Sequence, residues 1–183
     1  MNKKTTQEGD AIIEYFKNKL AELEPVQGDN WTQQNQLYCI LKIYLTYGVL
    51  RPSELLHCKV TEKDCECNHI NVSTKQIVIH HHKNDRKGKK VIHIDDELVE
   101  YLRKGLGKYL VLNNNDKLYQ SSSAFTKAFK KEFNDYTPYD LRPAISSRCI
   151  AQNDIEEIKK LEHNQGHSLQ VILDSYNVYS KAS

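Results

Sequence analysis

The chain has 183 residues, 39% of them hydrophobic and 27% charged, with a formal net charge of +2. That length gives one domain with a real core, or one domain behind a short leader, and the composition is that of an ordinary soluble globular protein. No apolar run approaches the roughly 20 residues of a membrane span, and overall charge makes no case for nucleic acid, so any such case rests on where the basic residues sit. The five cysteines, Cys39, Cys58, Cys65, Cys67 and Cys149, are odd in number and irregularly spaced, and no signal peptide precedes them. A reduced, intracellular protein is expected. His57, Cys58, Cys65, Cys67 and His69 cluster in sequence, but Cys-x-Cys is not the Cys-x₂₋₄-Cys spacing of a zinc site and no second knuckle follows. The expectation there is free thiols in a loop and no metal.

Residues 1–10 are polar, and Asp10 is placed to cap a helix through Leu23, with Ile12, Ile13, Phe16 and Leu20 at helical spacing. Pro25 and Gly28 end it. Asn30 opens a longer helix over roughly 31–47, carrying Leu37, Ile40, Leu41, Tyr44 and Leu45 as an apolar stripe, and Gly48 stops it. Pro52 suits the first turn of the next helix. Arg51 therefore stands at a helix start, where backbone N–H groups and the dipole favour an anion.

From Asn68 the period becomes that of strands: 69–73, 76–80 and 90–94 read as three of them. Between the last two lies a basic turn, Lys83-Asn84-Asp85-Arg86-Lys87-Gly88-Lys89. His80, His81 and His82 alternate faces in an extended chain, so they read as strand residues rather than a metal tract. Asp95 caps a helix to about Tyr109. Ser121–Ser123 then cap a basic helix with Phe125, Phe129 and Phe133 inward and Lys127, Lys130 and Lys131 outward. Pro138 opens a helix through Tyr139, Asp140, Leu141, Arg142 and Pro143 to about Gln152, and Asp154 starts another that ends at Gly166. The order is helices, a three-stranded antiparallel sheet and more helices, a mostly helical α+β fold.

Two arginines at helix starts, a lysine on a basic turn, then His167 and Tyr176 make up the parts that phosphoryl transfer on a diester needs. Planar forks hold the non-bridging oxygens, a donor protonates the leaving alkoxide, and a nucleophile takes the phosphate. His167 and Tyr176 are nine residues apart, half a turn out of phase on one straight helix. Asp174 and Ser175 supply N-cap residues for a break between them.

With these parts in order, the chain resembles the catalytic domain of the tyrosine recombinase (phage integrase) family from about residue 30 to Tyr179. The family's Arg-x-Ser/Gly-Glu-Leu box reads Arg51-Pro52-Ser53-Glu54-Leu55. Its hairpin lysine reads Lys83, ahead of Lys90-Val91-Ile92-His93-Ile94. Its His-x-Leu-Arg box reads Tyr139-Asp140-Leu141-Arg142, and its Leu-Gly-His and distal tyrosine read Gln165-Gly166-His167 and Tyr176. The chain departs from the pattern at Tyr139, which removes an imidazole as proton acceptor, and at Pro143 and Gln165. Only seven residues follow Tyr176, where many relatives carry a longer helix.

The resemblance implies a metal-free and cofactor-free DNA strand-transfer enzyme. Tyr176 forms a 3′-phosphotyrosyl bond, Arg51 and Arg142 stabilise the phosphorane-like charge, Lys83 protonates the leaving 5′-oxygen, His167 hydrogen-bonds the phosphate and Tyr139 fills the remaining polar place. Arg86, Lys87, Lys89, Lys127, Lys130 and Lys131 would contact double-stranded DNA. The free protein is expected as a monomer and the synaptic form as a homotetramer on DNA. Residues 1–29 read as a leader with its first helix and 30–183 as the catalytic domain, with the relatives' N-terminal DNA-clamping domain absent or removed. A type IB topoisomerase and a non-cleaving DNA-binding protein on the same scaffold are the alternatives.

Overall fold

A computed structural model describes residues 4–23, 30–80, 88–113, 115–165 and 179–180. In chain order the elements are β1 (Lys4–Thr5), α1 (Thr6–Glu22), α2 (Gln33–Tyr47), α3 (Pro52–Leu55), β2 (Lys59–Thr61), β3 (His69–Asn71), β4 (Gln76–Ile79), β5 (Lys90–His93), α4 (Asp96–Arg103), α5 (Ser122–Glu132), α6 (Pro138–Ala151), α7 (Ile155–Gln165) and β6 (Tyr179–Ser180). The mostly helical α+β expectation holds. The sheet needs correcting: it has four strands in the order β2-β3-β4-β5, with β2 parallel to β3 and the other pairs antiparallel. A separate parallel pair joins β1 to β6.

α2 is the centre of the core. Tyr38, Cys39, Ile40, Leu41, Ile43, Tyr44 and Tyr47 are all buried along it, far wider than the one-sided stripe of a surface helix. Its cap is Thr32, which accepts from the Asn35 amide at 3.2 Å, rather than the expected Asn30. The Asn30 carbonyl instead accepts from Asn35 Nδ2 at 2.7 Å.

α1 starts a turn earlier than Asp10, because Gly9 continues the buried face of Ile12, Ile13 and Phe16 at the i, i+3, i+4, i+7 positions. Asp10 is exposed within the helix and faces Arg148 at 3.9 Å. Phe16 packs against Phe129 and Phe133 of the α5 region, with ring centroids 5.9 and 5.5 Å away. α5 follows the expected plan: Ser121 caps it by accepting from the Ala124 amide at 3.1 Å, and Phe125, Phe129 and Phe133 are buried.

The helix expected to reach Tyr109 ends at Arg103. Its cap, Asp95, accepts from the Leu98 amide at 2.8 Å as expected. After the helix, residues 107–110 pair with 58–60 through Gly107 N–H to the Val60 carbonyl (2.8 Å), Val60 N–H to Lys108 (2.9 Å) and Leu110 N–H to Cys58 (2.8 Å). Two glycines make that reversal possible. Gly107 takes φ +80°, and a Cβ on Gly105 would lie 2.8 Å from the Trp31 ring. Gly105→Ala should accordingly lower stability by about 1–3 kcal/mol through overpacking. Chemical denaturation would read this as a lower midpoint with an unchanged slope.

Candidate functional site

Arg51 caps the single turn of α3 with extended backbone (φ −66°, ψ 144°), and Pro52 at the first helical position fixes the turn's φ. Glu54 folds back on that start: its Oε2 accepts from the Arg51 amide at 2.8 Å, and its Oε1 lies 3.8 Å from Arg51 Nη1. Glu54 is buried, with a side chain only 2% exposed, so it needs a cation beside it. Lys90, at the first position of β5, supplies one, donating from Nζ to Glu54 Oε1 at 2.9 Å. The same ammonium donates to the Asn164 carbonyl at 2.9 Å.

Asn164 in turn donates from Nδ2 to the Tyr47 carbonyl, and neighbouring His163 donates from Nε2 to the Val91 carbonyl at 2.8 Å. The last turn of α7 is thereby tied both to β5 and to the C-terminal end of α2.

Arg142 approaches from α6. Thr137 and Asp140 form a capping box at the helix start: Asp140 Oδ2 accepts from the Thr137 amide at 2.9 Å and from its hydroxyl at 2.7 Å. Pro143, inside the helix, has no N–H to give the Tyr139 carbonyl. Arg142 is buried and Tyr139 is 57% exposed.

Both arginines act electrostatically on Lys90. Burial holds the Lys90 ammonium below the ordinary lysine range, Glu54 partly offsets this, and the positive charges of Arg142 and Arg51 push in the same direction as burial. Tyr44 Oη, fully buried, lies within reach of the charges of Glu54 and Arg142, and burial raises its pKa. Arg51, Arg142, Glu54, Lys90 and Tyr44 thus share one low-dielectric neighbourhood, where charge interactions are far stronger than in water.

The remaining candidates divide in two. Lys127, Lys130 and Lys131 are exposed on α5, which packs against α3, and Lys130 faces Asp135 at 3.4 Å. Lys89 is exposed just before β5. Lys83, Arg86, Lys87, His167 and Tyr176 lie outside the described residues. Lys90, Tyr44 and Asn164 were not singled out from the sequence. Lys90 had a signal, since it shares the inward face of β5 with Ile92, and a lysine on such a face calls for a buried carboxylate.

The expectation of free thiols is overturned at one pair, because Cys65 and Cys67 are joined as a disulfide, while Cys39, Cys58 and Cys149 are free. Burial raises the Cys149 thiol to about 11 and pushes those of Cys39 and Cys58 higher still, so none of the three is a thiolate at neutral pH. No helix among the described residues is long and apolar enough to cross a membrane.

These elements and their order define a recombinase-like fold. The solved structure of XerA recombinase matches 97% of this chain with a TM-score of 0.53 and 16% identity, and the chain spans 59% of that protein's length. No family model and no curated protein matches the sequence.

Proposed function

We propose that this chain is a site-specific DNA recombinase acting through a covalent tyrosyl intermediate. The observation that carries the reading is that Arg51 and Arg142 both bear electrostatically on the buried Lys90–Glu54 pair, because two planar forks beside a desolvated site suit the non-bridging oxygens of a phosphodiester. Tyr176 Oη attacks the phosphorus as its phenol proton passes to solvent, the phosphorus–O5′ bond breaks, and the 5′-oxygen leaves as a hydroxyl with a proton from Lys83. His167, three residues beyond the anchored Asn164, hydrogen-bonds the phosphate, and Tyr139 occupies the last polar position. Attack by the 5′-hydroxyl of a second DNA reverses these bonds, so the bond energy is conserved and no nucleotide cofactor is consumed.

Residues 30–183 make up the catalytic unit in this reading, with 1–29 as leader. The DNA is double-stranded, and exchange takes place in a homotetramer on DNA. Lys89, Lys127, Lys130 and Lys131, with Arg86 and Lys87, contact phosphates. Duplex affinity should then fall steeply with salt, each neutralised phosphate contributing about −0.9 to the slope of log K against log [salt]. Replacing Lys127, Lys130 and Lys131 together by glutamine should flatten that slope by about 2–3; an unchanged slope would remove α5 from the interface.

The test of the proposal is a suicide duplex, nicked so that cleavage releases a short strand and traps the enzyme. A denaturation-resistant protein–DNA complex is expected from the chain in a chelating buffer. Its absence across a panel of duplexes that the protein binds would favour a non-cleaving DNA-binding protein. Rapid processive relaxation of supercoiled plasmid by the chain alone would favour a type IB topoisomerase.

A further inference from the structure

The loop from β2 to β3 brings Cys65, Cys67 and His69 together, with Asp64 against the His69 ring, and the recombination chemistry uses none of them. The two sulfurs and a ring nitrogen of His69 lie within 4.8 Å of one another. A tetrahedral shell with metal–sulfur bonds of about 2.3 Å and metal–nitrogen bonds of about 2.0 Å has edges of about 3.3–3.8 Å, so once the disulfide opens the three donors reach it by shifts of up to about 1.5 Å.

His69 carries the argument further. Its ring is fully buried, and Nδ1 donates to the Cys67 carbonyl at 2.8 Å, which leaves the lone pair of a neutral imidazole on Nε2. Nε2 faces Asp64 Oδ1 at 3.2 Å. A lone pair and a carboxylate oxygen at that distance need a positive centre between them: a proton, or a metal ion for which 3.2 Å is the edge of a tetrahedron. Asn71 Nδ2 holds the same Asp64 oxygen at 2.9 Å. A carbonyl on the free ring N–H and an amide on the carboxylate are the outer contacts by which proteins aim metal ligands.

We propose that, in its reduced state, the chain binds one Zn²⁺ through Cys65, Cys67, His69 and Asp64, and that the Cys65–Cys67 disulfide is the oxidised, metal-free form of this site. Two thiolates with an imidazole select zinc over the hard divalent cations. A dithiol gives the two electrons and two protons that open the disulfide and itself becomes a disulfide. Zn²⁺ then displaces the two thiol protons to solvent. The site also has a place in the fold. Asn68, at the end of the same loop, donates from Nδ2 to the Glu54 carbonyl at 3.1 Å and accepts the His80 amide on Oδ1 at 2.8 Å. A metal there would stiffen the link between α3 and the strand that leads into the basic turn. The site does not depend on the recombinase reading.

The test is Co²⁺ titration of the full chain, reduced with a dithiol and exchanged into metal-free buffer. One equivalent should give thiolate-to-cobalt charge-transfer absorption with tetrahedral d–d bands, and Zn²⁺ should bleach both. Cys65→Ser with Cys67→Ser should remove the charge-transfer band, and Asp64→Asn should weaken binding by about 10–100-fold. The disulfide form, verified by thiol counting, should bind no Co²⁺ at this site. If reduced wild-type protein shows no charge-transfer band, the proposal is overturned, whatever the variants do. A band of full strength in a folded double serine variant, or in the oxidised protein, overturns it equally.

Discussion

Tyr176→Phe should abolish the covalent complex with a suicide duplex and leave duplex affinity within about twofold. The phenol oxygen is the only atom the change removes, and in the proposed chemistry it is the nucleophile. With the proposed nucleophile gone, product should fall to background. Binding rests on phosphate contacts from the basic residues, which the change does not touch. Arg142→Ala belongs to the same experiment. Loss of one preorganised donor to a developing charge costs about 10²–10³ in rate, so adduct should still form over long incubation. Arg142→Lys should recover little, because a point charge does not replace a fork. An Arg142→Ala variant that cleaves at the wild-type rate would detach this arginine from the chemistry.

Lys90→Met should destabilise the protein by about 3–5 kcal/mol, the cost of leaving one partner of a buried ion pair alone. Glu54 would be left charged beside Arg51 with no ammonium, and the Asn164 carbonyl would lose its donor. Adding Glu54→Leu should cost less in that background than in the wild type, a non-additivity a double-mutant cycle would read directly. The pH dependence has a definite sign. The folded-state pKa of Lys90 is lowered from 10.5, so the unfolded chain binds this proton more tightly than the folded chain does. The Lys90 contribution is at its most favourable above 10.5 and declines as pH falls through the folded-state value. Wild-type stability should therefore carry a component that rises with pH across that alkaline window, and Lys90→Met should lack it. Identical slopes in the two proteins would contradict the burial of a charged Lys90.

What could be read from the sequence was local chemistry. Ser121 ahead of Phe125, Phe129 and Phe133 announces a capped amphipathic helix, and Pro52 and Pro138 mark helix starts without tertiary help. What escaped is set by partners distant in the chain. β2 is three residues long with one buried side chain, Val60, and pairs with β3 and with 107–110, so too few alternations exist to read. The early end of α4 follows from Gly105 under Trp31, a contact between residues far apart in sequence.

The candidate site divides along the same line. Arg51 and Arg142 stand in local boxes and were legible there. Lys90 was hidden by its basic neighbours, because a run of lysines on a turn reads as solvated, and only the register of β5 turns this one inward. Asn164 joins the site through its backbone carbonyl, which no side-chain pattern reports. The expectation of free thiols failed at Cys65 and Cys67 because a pairing across one residue leaves no spacing signal in the sequence.

The most direct measurement is peptide mapping of the protein–DNA adduct. Wild-type chain trapped on a suicide duplex is digested with protease and nuclease, and the peptide that retains a nucleotide is sequenced by mass spectrometry. The expected result is one modified residue, Tyr176, joined to a 3′-phosphate. A nucleotide on Tyr179, on Tyr139 or on a residue other than tyrosine, or a linkage to a 5′-phosphate, would contradict the assignment of nucleophile and polarity on which the proposed function stands.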